Sequence, residues 1–284
     1  MTPRFERPSS LAEATSLLAA GDWSLLAGGT DVYPAHVGRA IGQPLLDLSA
    51  VAGLRGIRGD VAGWSIGAMT TWSDVDGAAL PPLFDGLKAA ARGIGGVQIQ
   101  NTGTVVGNVC NASPAADGVP ALLALDAEVA LVSASGERRL PLADFVLGSR
   151  RTARRRDELV AALHVPARGA AARSVFLKLG GRRYLVISIA MVAASIDLDA
   201  AGRVAWAAVA VGSCSAVARR LPSLEARLVG ADPARLAACA AAADLDGLSP
   251  IDDLRGSAAY RRDATLTLVR RALAGLGAAP EAGP

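Results

Sequence analysis

The residues best suited to chemistry in this chain are small ones. Ala27-Gly28-Gly29-Thr30-Asp31 sets paired glycines, a hydroxyl and a carboxylate directly after the apolar Leu25 and Leu26 and before Val32. A second stretch, Thr104-Val105-Val106-Gly107-Asn108, again runs apolar residues into a glycine, with a hydroxyl and a carboxamide at its ends. A backbone that wraps a pyrophosphate must turn its N–H groups inward, and a Cβ on that inner surface would hold the anion away. Paired glycines permit φ > 0, so successive amides can converge on one anion, and the Thr30 hydroxyl adds a donor. Asp117, nine residues beyond Asn108, is a carboxylate able to accept hydrogen bonds from ribose or ribityl hydroxyls. Taken singly, each stretch also reads as a plain tight turn.

Competing chemistries fail on their own criteria. There is no GxxxxGK[ST], and no GxGxxG opens a helix with an acidic residue ~20 positions on. The serine of Asn111-Ala-Ser-Pro-Ala-Ala-Asp117 lacks the GxSxG elbow of a hydrolase. Only His36 and His164 offer imidazole, and Cys110, Cys214 and Cys239 are too scattered for a disulfide framework or a metal knuckle. Arg150, Arg151, Arg154, Arg155 and Arg156 crowd one segment, but no aromatic residues interleave them, so a solvated loop or a docking edge fits better than a nucleic-acid site. Apolar runs such as Val186 to Ile196 are too short to span a bilayer, and MTPRFERPSS lacks the apolar core of a secretory signal, so the expected compartment is the cytoplasm.

The elements that must position the two stretches follow from pattern. Ser10-Leu-Ala-Glu13 is a capping-box sequence, and Leu11, Ala14, Leu17 and Leu18 keep helical spacing as far as Gly21. Ser24 to Ala27 and Pro44 to Leu48 read as short buried strands, and the segment around Gly59-Asp60 as a hairpin. A helix over Pro82 to Arg92 delivers the chain to the second stretch; a short helix at Val119 to Leu125 and a strand at Glu128 to Ser133, turning at Gly136-Glu137, follow it. Composition shifts near Val165-Pro166-Ala167-Arg168-Gly169, which predicts a domain boundary. Beyond it, Ile187 to Leu198 and Val204 to Val211 form a hairpin through Asp199 to Gly202, and Leu221 to Val229, Pro233 to Ala243 and Ala258 to Leu276 show helical spacing. The tail from Gly277 to Pro284 is expected to fray.

Together these residues resemble the medium, FAD-binding subunit of the molybdenum hydroxylase family, which includes xanthine, carbon monoxide and nicotine dehydrogenases. AGGTD is similar to that family's first flavin loop, and TVVGN to its second, with Val106 where a glycine is usual. FLKLGGRR at Phe176 to Arg183 and YRRDATLTLVRRAL near the C-terminus extend the resemblance over nearly the whole chain. The resemblance implies an α+β protein: a PCMH-type, vanillyl-alcohol oxidase-like FAD domain over residues 1–168, with subdomains of about 1–55 and 56–168, then a C-terminal antiparallel sheet with packed helices over 169–284.

It also implies a site. Leu25, Leu26, Ala27, Gly28, Gly29, Thr30, Asp31 and Val32, with Thr104, Val105, Val106, Gly107 and Asn108, would surround the FAD phosphates. Asp117 would hold sugar hydroxyls, while Ile94, Val160 and Lys178 would contact the cofactor, Lys178 near the isoalloxazine. Val186 takes the place of an aromatic residue that some members set against the ring, with Tyr184 nearby. Neither a catalytic side chain nor a metal site is expected in the chain itself. The implied partners are a large subunit with molybdenum cofactor and a small subunit with two [2Fe-2S] clusters, in a dimer of heterotrimers. Electrons from oxidation of a purine or another N-heterocycle would leave through FAD to NAD⁺ or another acceptor. Two other readings stay open: a non-redox assembly or regulatory module, suggested by Val106, and a free-standing flavoprotein oxidase drawing on Arg182, Arg183 and Tyr184.

Overall fold

A computed structural model of the chain describes residues 4–278. Of the tail expected to fray from Gly277, Gly277 instead ends the last helix and the Ala278 N–H donates to the Ala274 carbonyl, and the rest lies outside the described residues. Helix α1 (Leu11–Ala20) starts where the sequence predicts: the Ser10 hydroxyl accepts from the Glu13 N–H, and the Glu13 carboxylate accepts from the Ser9 N–H. Strands β1 (Phe5–Glu6), β2 (Ser24–Leu26) and β3 (Leu45–Asp47) pair in parallel, in the order β1-β3-β2. Leu46, at the centre of that sheet, is fully buried.

A second, antiparallel sheet runs β4-β5-β10-β6-β7, from β4 (Ile57–Asp60), β5 (Gly63–Gly67), β6 (Glu128–Ser133), β7 (Gly136–Pro141) and β10 (Leu159–Pro166). The β4–β5 turn is fixed by Asp60, whose carboxylate accepts from the N–H groups of Ala62 and Gly63. Between β5 and β6 lie five helices: α2 (Trp72–Gly77), α3 (Asp85–Gly93), α4 (Val97–Thr102), α5 (Val105–Asn111) and α6 (Gly118–Leu123). A single-turn α7 (Leu142–Phe145) precedes the short pair β8 (Val146–Gly148) and β9 (Arg151–Thr152). In α3 the buried Leu87, Ala90 and Ala91 recur at helical spacing behind the buried Phe84, which explains why that stretch folds as a helix.

The third sheet, β11-β12-β13-β14, contains β11 (Arg173–Leu179), β12 (Ala190–Leu198), β13 (Val204–Gly212) and β14 (Arg219–Arg220). Its two central strands are continuous apolar runs because both faces are covered. Along β12, Val192, Ala194 and Ile196 pack into one core with α8 (Pro222–Leu228) and α9 (Ala258–Gly277), whereas Met191 and Ala193 belong to the core of the preceding residues. Ala208 and Ala210 of β13 share the second face, and their small side chains let α6 approach the sheet closely. Asp126 ties the same layers together, accepting from Arg168 (2.5 Å), Arg220 (2.5 Å) and Trp206 (3.1 Å).

Three sequence expectations change. The run from Pro233 is not an α-helix but two 3₁₀ segments, Pro233–Cys239 and Ala242–Leu245. Carbonyls there are taken by arginines, that of Cys239 by Arg227 and that of Ala240 by Arg270, in place of amides further along the helix. Helix α4 has no counterpart in the sequence reading, since its six residues sit between Gly96 and Gly103. The second small-residue stretch is not a turn like the first: it is the opening turn of α5, with Thr104 as its N-cap.

Candidate functional site

One cavity of about 580 Å³ lies where the loop after β2, helix α5, the segment 150–154 and strand β10 meet. The first loop forms one wall through Leu25, Ala27, Gly28, Gly29, Thr30, Asp31 and Val32. Its glycines are required by the protein's own packing. A Cβ on Gly28 would stand 1.9 Å from the carbonyl oxygen of Thr102, so the loop presses on the backbone at the end of α4. Gly29 has φ +69°, in the region that side-chain-bearing residues seldom adopt, and a Cβ there would meet the ring of Tyr33 at 2.3 Å. No N–H from Gly28 to Val32 donates to another group among the described residues. Five successive backbone donors therefore border the cavity without partners.

Helix α5 forms a second wall. The Thr104 hydroxyl accepts from the Gly107 N–H at 3.0 Å and caps the helix, which leaves its own proton to donate. The Val105 N–H donates to the Thr70 carbonyl, so among the first-turn amides that of Val106 has no partner among the described residues. Thr104, Val106, Gly107 and Asn108 line the cavity; Val105 is fully buried and does not, and neither does Leu26, which points into the core. The carboxamide oxygen of Asn108 is buried and has no donor among the described residues. Ile94 and Val160 complete an apolar side of the cavity, Val160 from β10 and Ile94 from the end of α3.

Asp117 and Lys178 do not line this cavity. They pair with each other at 2.5 Å, and Lys178 also donates to the Gly93 carbonyl at 3.2 Å. The second Asp117 oxygen accepts from Ser188 at 2.5 Å, and each oxygen keeps a lone pair beyond the one its donor uses. Burial pushes the Asp117 carboxyl up from its ordinary range, while the Lys178 ammonium and the Ser188 hydroxyl pull it back down. Together they fix Gly93, one residue before Ile94, against the third sheet, which makes Lys178 a positioning residue for the cavity's apolar end.

Charge enters from a segment that the sequence reads as a solvated loop or a docking edge. Arg150, Thr152 and Arg154 line the cavity. Arg150 stands 3.9 Å from Asp31, whose carboxylate also accepts from the side chain of Asn111, so the first loop is tied to α5 and to the arginine segment. Burial pushes the Cys110 thiol up to about 11, partly offset by nearby Arg154. Nothing in the spacing of the arginines distinguishes Arg154 from its neighbours; only the fold turns it inward.

The arrangement suits an elongated ligand that is part anionic and part apolar. Unpartnered amides and arginines serve an anion, Asn108 can accept from a hydroxyl, and Ile94 and Val160 can flank a ring. Among the described residues no three His, Cys, Asp or Glu side chains converge as a metal-binding group, and no helix is long and apolar enough to cross a membrane.

Residues 2–168 match the family model for the FAD binding domain in molybdopterin dehydrogenase, and residues 176–276 that for the CO dehydrogenase flavoprotein C-terminal domain. The chain is 32% identical to the nicotinate dehydrogenase FAD-subunit of Eubacterium barkeri over 80% of its length and 79% of the relative's. It is 31% identical to the carbon monoxide dehydrogenase medium chain of Hydrogenophaga pseudoflava, covering 95% of this chain and 96% of that one. Among solved structures, carbon monoxide dehydrogenase from the same organism, in a form lacking the Mo-pyranopterin moiety of its cofactor, superposes with a TM-score of 0.84 at 28% identity, over 97% of this chain and 98% of the other.

Proposed function

The chain belongs to the family of FAD-binding medium subunits of molybdenum hydroxylases, and from that premise we propose that it is the electron-exit subunit of such a complex, holding FAD in the cavity described above. The observation that carries this reading is the row of unpartnered N–H groups from Gly28 to Val32 opposite the free Val106 N–H, bordering a cavity with an apolar far side. Gly28 to Val32 and Val106 would hold the pyrophosphate, Asn108 a ribityl or ribose hydroxyl, and Ile94 and Val160 the ring system. Leu25, Ala27, Thr104 and Gly107 shape the wall, while Leu26 and Val105 support it from the core. Asp117 and Lys178 would brace Gly93 at the apolar end, each Asp117 oxygen keeping a lone pair for a sugar hydroxyl.

The chemistry that FAD supplies when bound is the exchange between single electrons and a hydride pair. The chain's own part is to hold the cofactor, exclude water from its apolar end and leave one edge open. On this reading the substrate is oxidised in a large subunit carrying molybdenum cofactor, and electrons arrive through a small subunit with two [2Fe-2S] clusters. We take the complex to be a cytoplasmic dimer of heterotrimers, its substrate an N-heterocycle such as a purine, and its acceptor NAD⁺. The heterocycle is supported by the nicotinate dehydrogenase relative. The same reading divides the chain into a cofactor-holding part, 1–168, and a C-terminal part, 169–284.

The test is an absorption spectrum of the purified chain, alone and co-purified with the products of adjacent genes. Flavin bands near one FAD per chain, bleached by a heterocyclic substrate only in the co-purified complex and restored by NAD⁺, are expected. A folded chain without flavin in either preparation would overturn the reading in favour of an assembly module.

A further inference from the structure

The unpartnered amides are neutral donors and do not account for the charge of the cavity wall. Five arginines crowd residues 150–156, and the fold gives them different fates. Arg156 pairs with Asp22 at 2.5 Å and does not line the cavity. Arg155 is exposed, and Glu158, the nearest buried acid, is occupied by Arg138 at 2.6 and 2.9 Å and by the Arg155 N–H. Arg150 is compensated in part by Asp31. Arg154 alone of the cavity's arginines has no carboxylate partner among the described residues.

Its guanidinium is nevertheless held in place. Nη1 donates to the carbonyls of Arg155 (3.0 Å) and Glu158 (2.7 Å), while Nε and Nη2 donate to nothing among the described residues. A half-buried arginine fixed by backbone oxygens, with unused donors and no acid beside it, is preorganised for an anion. Resting on the FAD reading above, we propose that Arg154, with Arg150 beside it, is the charged recognition element of the cavity. It binds the pyrophosphate group and so selects the phosphorylated dinucleotide over the uncharged riboflavin. The backbone amides shape the anion site; Arg154 provides its charge.

The test titrates the full chain, stripped of flavin, with FAD and with riboflavin, following flavin fluorescence. Arg154→Gln is expected to weaken FAD about tenfold or more, the loss typical of a hydrogen bond to a charged group, and to leave riboflavin affinity within about twofold. Arg154→Lys should recover part of the loss, because it restores charge without the planar fork. Since Nη1 also clasps two carbonyls, the flavin-free melting temperature is measured for each variant. An arm needing no variant is ionic strength: raising it should weaken wild-type binding of FAD and not of riboflavin. If folded Arg154→Gln binds FAD as wild type does, or if FAD affinity ignores salt, this inference fails while the FAD reading stands. If the wild-type chain binds neither flavin, the FAD reading itself fails.

Discussion

Replacing Gly28 with alanine separates two reasons for a glycine at that position. If glycine is there only to admit a phosphate, Gly28→Ala leaves the flavin-free protein intact and lowers FAD affinity. The structure gives a different reason. The added Cβ would lie 1.9 Å from the Thr102 oxygen and 2.7 Å from its carbonyl carbon, and that peptide is not free to withdraw. The Gly103 N–H donates to the Ile99 carbonyl at 2.7 Å, and the Gly103 carbonyl accepts from the Trp72 N–H at 3.2 Å. Relief therefore requires the β2 loop and the end of α4 to part by about 1 Å, which puts the penalty near the upper end of the ~1–3 kcal/mol seen for overpacking. With ~2–4 °C of melting temperature per kcal/mol in a protein of this class, flavin-free Gly28→Ala should melt roughly 6–12 °C below wild type. Differential scanning fluorimetry of flavin-free chains is the assay, with Gly29→Ala as the comparison. At Gly29 the half-exposed Tyr33 ring can swing aside, leaving chiefly the cost of φ +69°, about 1–2 kcal/mol. A flavin-free Gly28→Ala protein melting within about 2 °C of wild type, against that ~6–12 °C expectation, would refute the packing argument and return the glycine to the ligand.

Lys178→Met should destabilise the protein by about 3–5 kcal/mol at neutral pH, because it leaves the buried Asp117 carboxylate uncompensated. The folded-state pKa of Asp117 is already raised, so the variant's deficit should grow as pH rises and shrink toward pH 5; melting curves across pH read this directly, and a pH-independent deficit would count against it. Glu158 behaves oppositely: its bond to Arg138 holds the carboxyl below its ordinary range, despite burial, so its stabilisation is present above about pH 4.3 and is lost as pH falls through the folded pKa. Glu158→Gln should flatten the acid limb of the stability profile, which acid titration followed by circular dichroism would detect.

Legibility from sequence followed the strength of local signals. Helix α1 was readable because Ser10 and Glu13 are a capping pair and Gly21 is a stop, and the β12–β13 hairpin because two apolar runs flank Asp199 to Gly202. The 3₁₀ character after Pro233 was not, because carbonyls at its end are claimed by Arg227 of the preceding helix and Arg270 of α9, which residue spacing does not show. Within the site, the wall from Leu25 to Val32 and from Thr104 to Asn108 could be located from residue type alone, whereas Arg154 could not be told apart from Arg155 and Arg156. Which arginine turns inward is decided by the path of the backbone as much as by distant contacts: Asp22 pairs with Arg156, and the neighbouring carbonyls of Arg155 and Glu158 hold Arg154 at the cavity.

The same distinction resolves the oddity of Val106. The two small-residue stretches look alike in sequence, but the first is a loop that needs φ > 0 at Gly29, while the second is the first turn of a helix. A helix presents its opening amides with ordinary negative φ, so the N–H of Val106 is available whatever its side chain. The isopropyl group fills part of the core as well, being only 5% exposed. Val106→Gly should therefore leave FAD affinity within about twofold while costing about 1 kcal/mol or more in stability, from lost helix propensity and lost packing. Titration with FAD beside a melting curve distinguishes this from a valine that obstructs the cofactor, for which affinity would rise markedly on substitution. A valine at this position thus gives little support to a non-binding assembly module, since the group that meets the anion is the backbone, and the helix sets its direction.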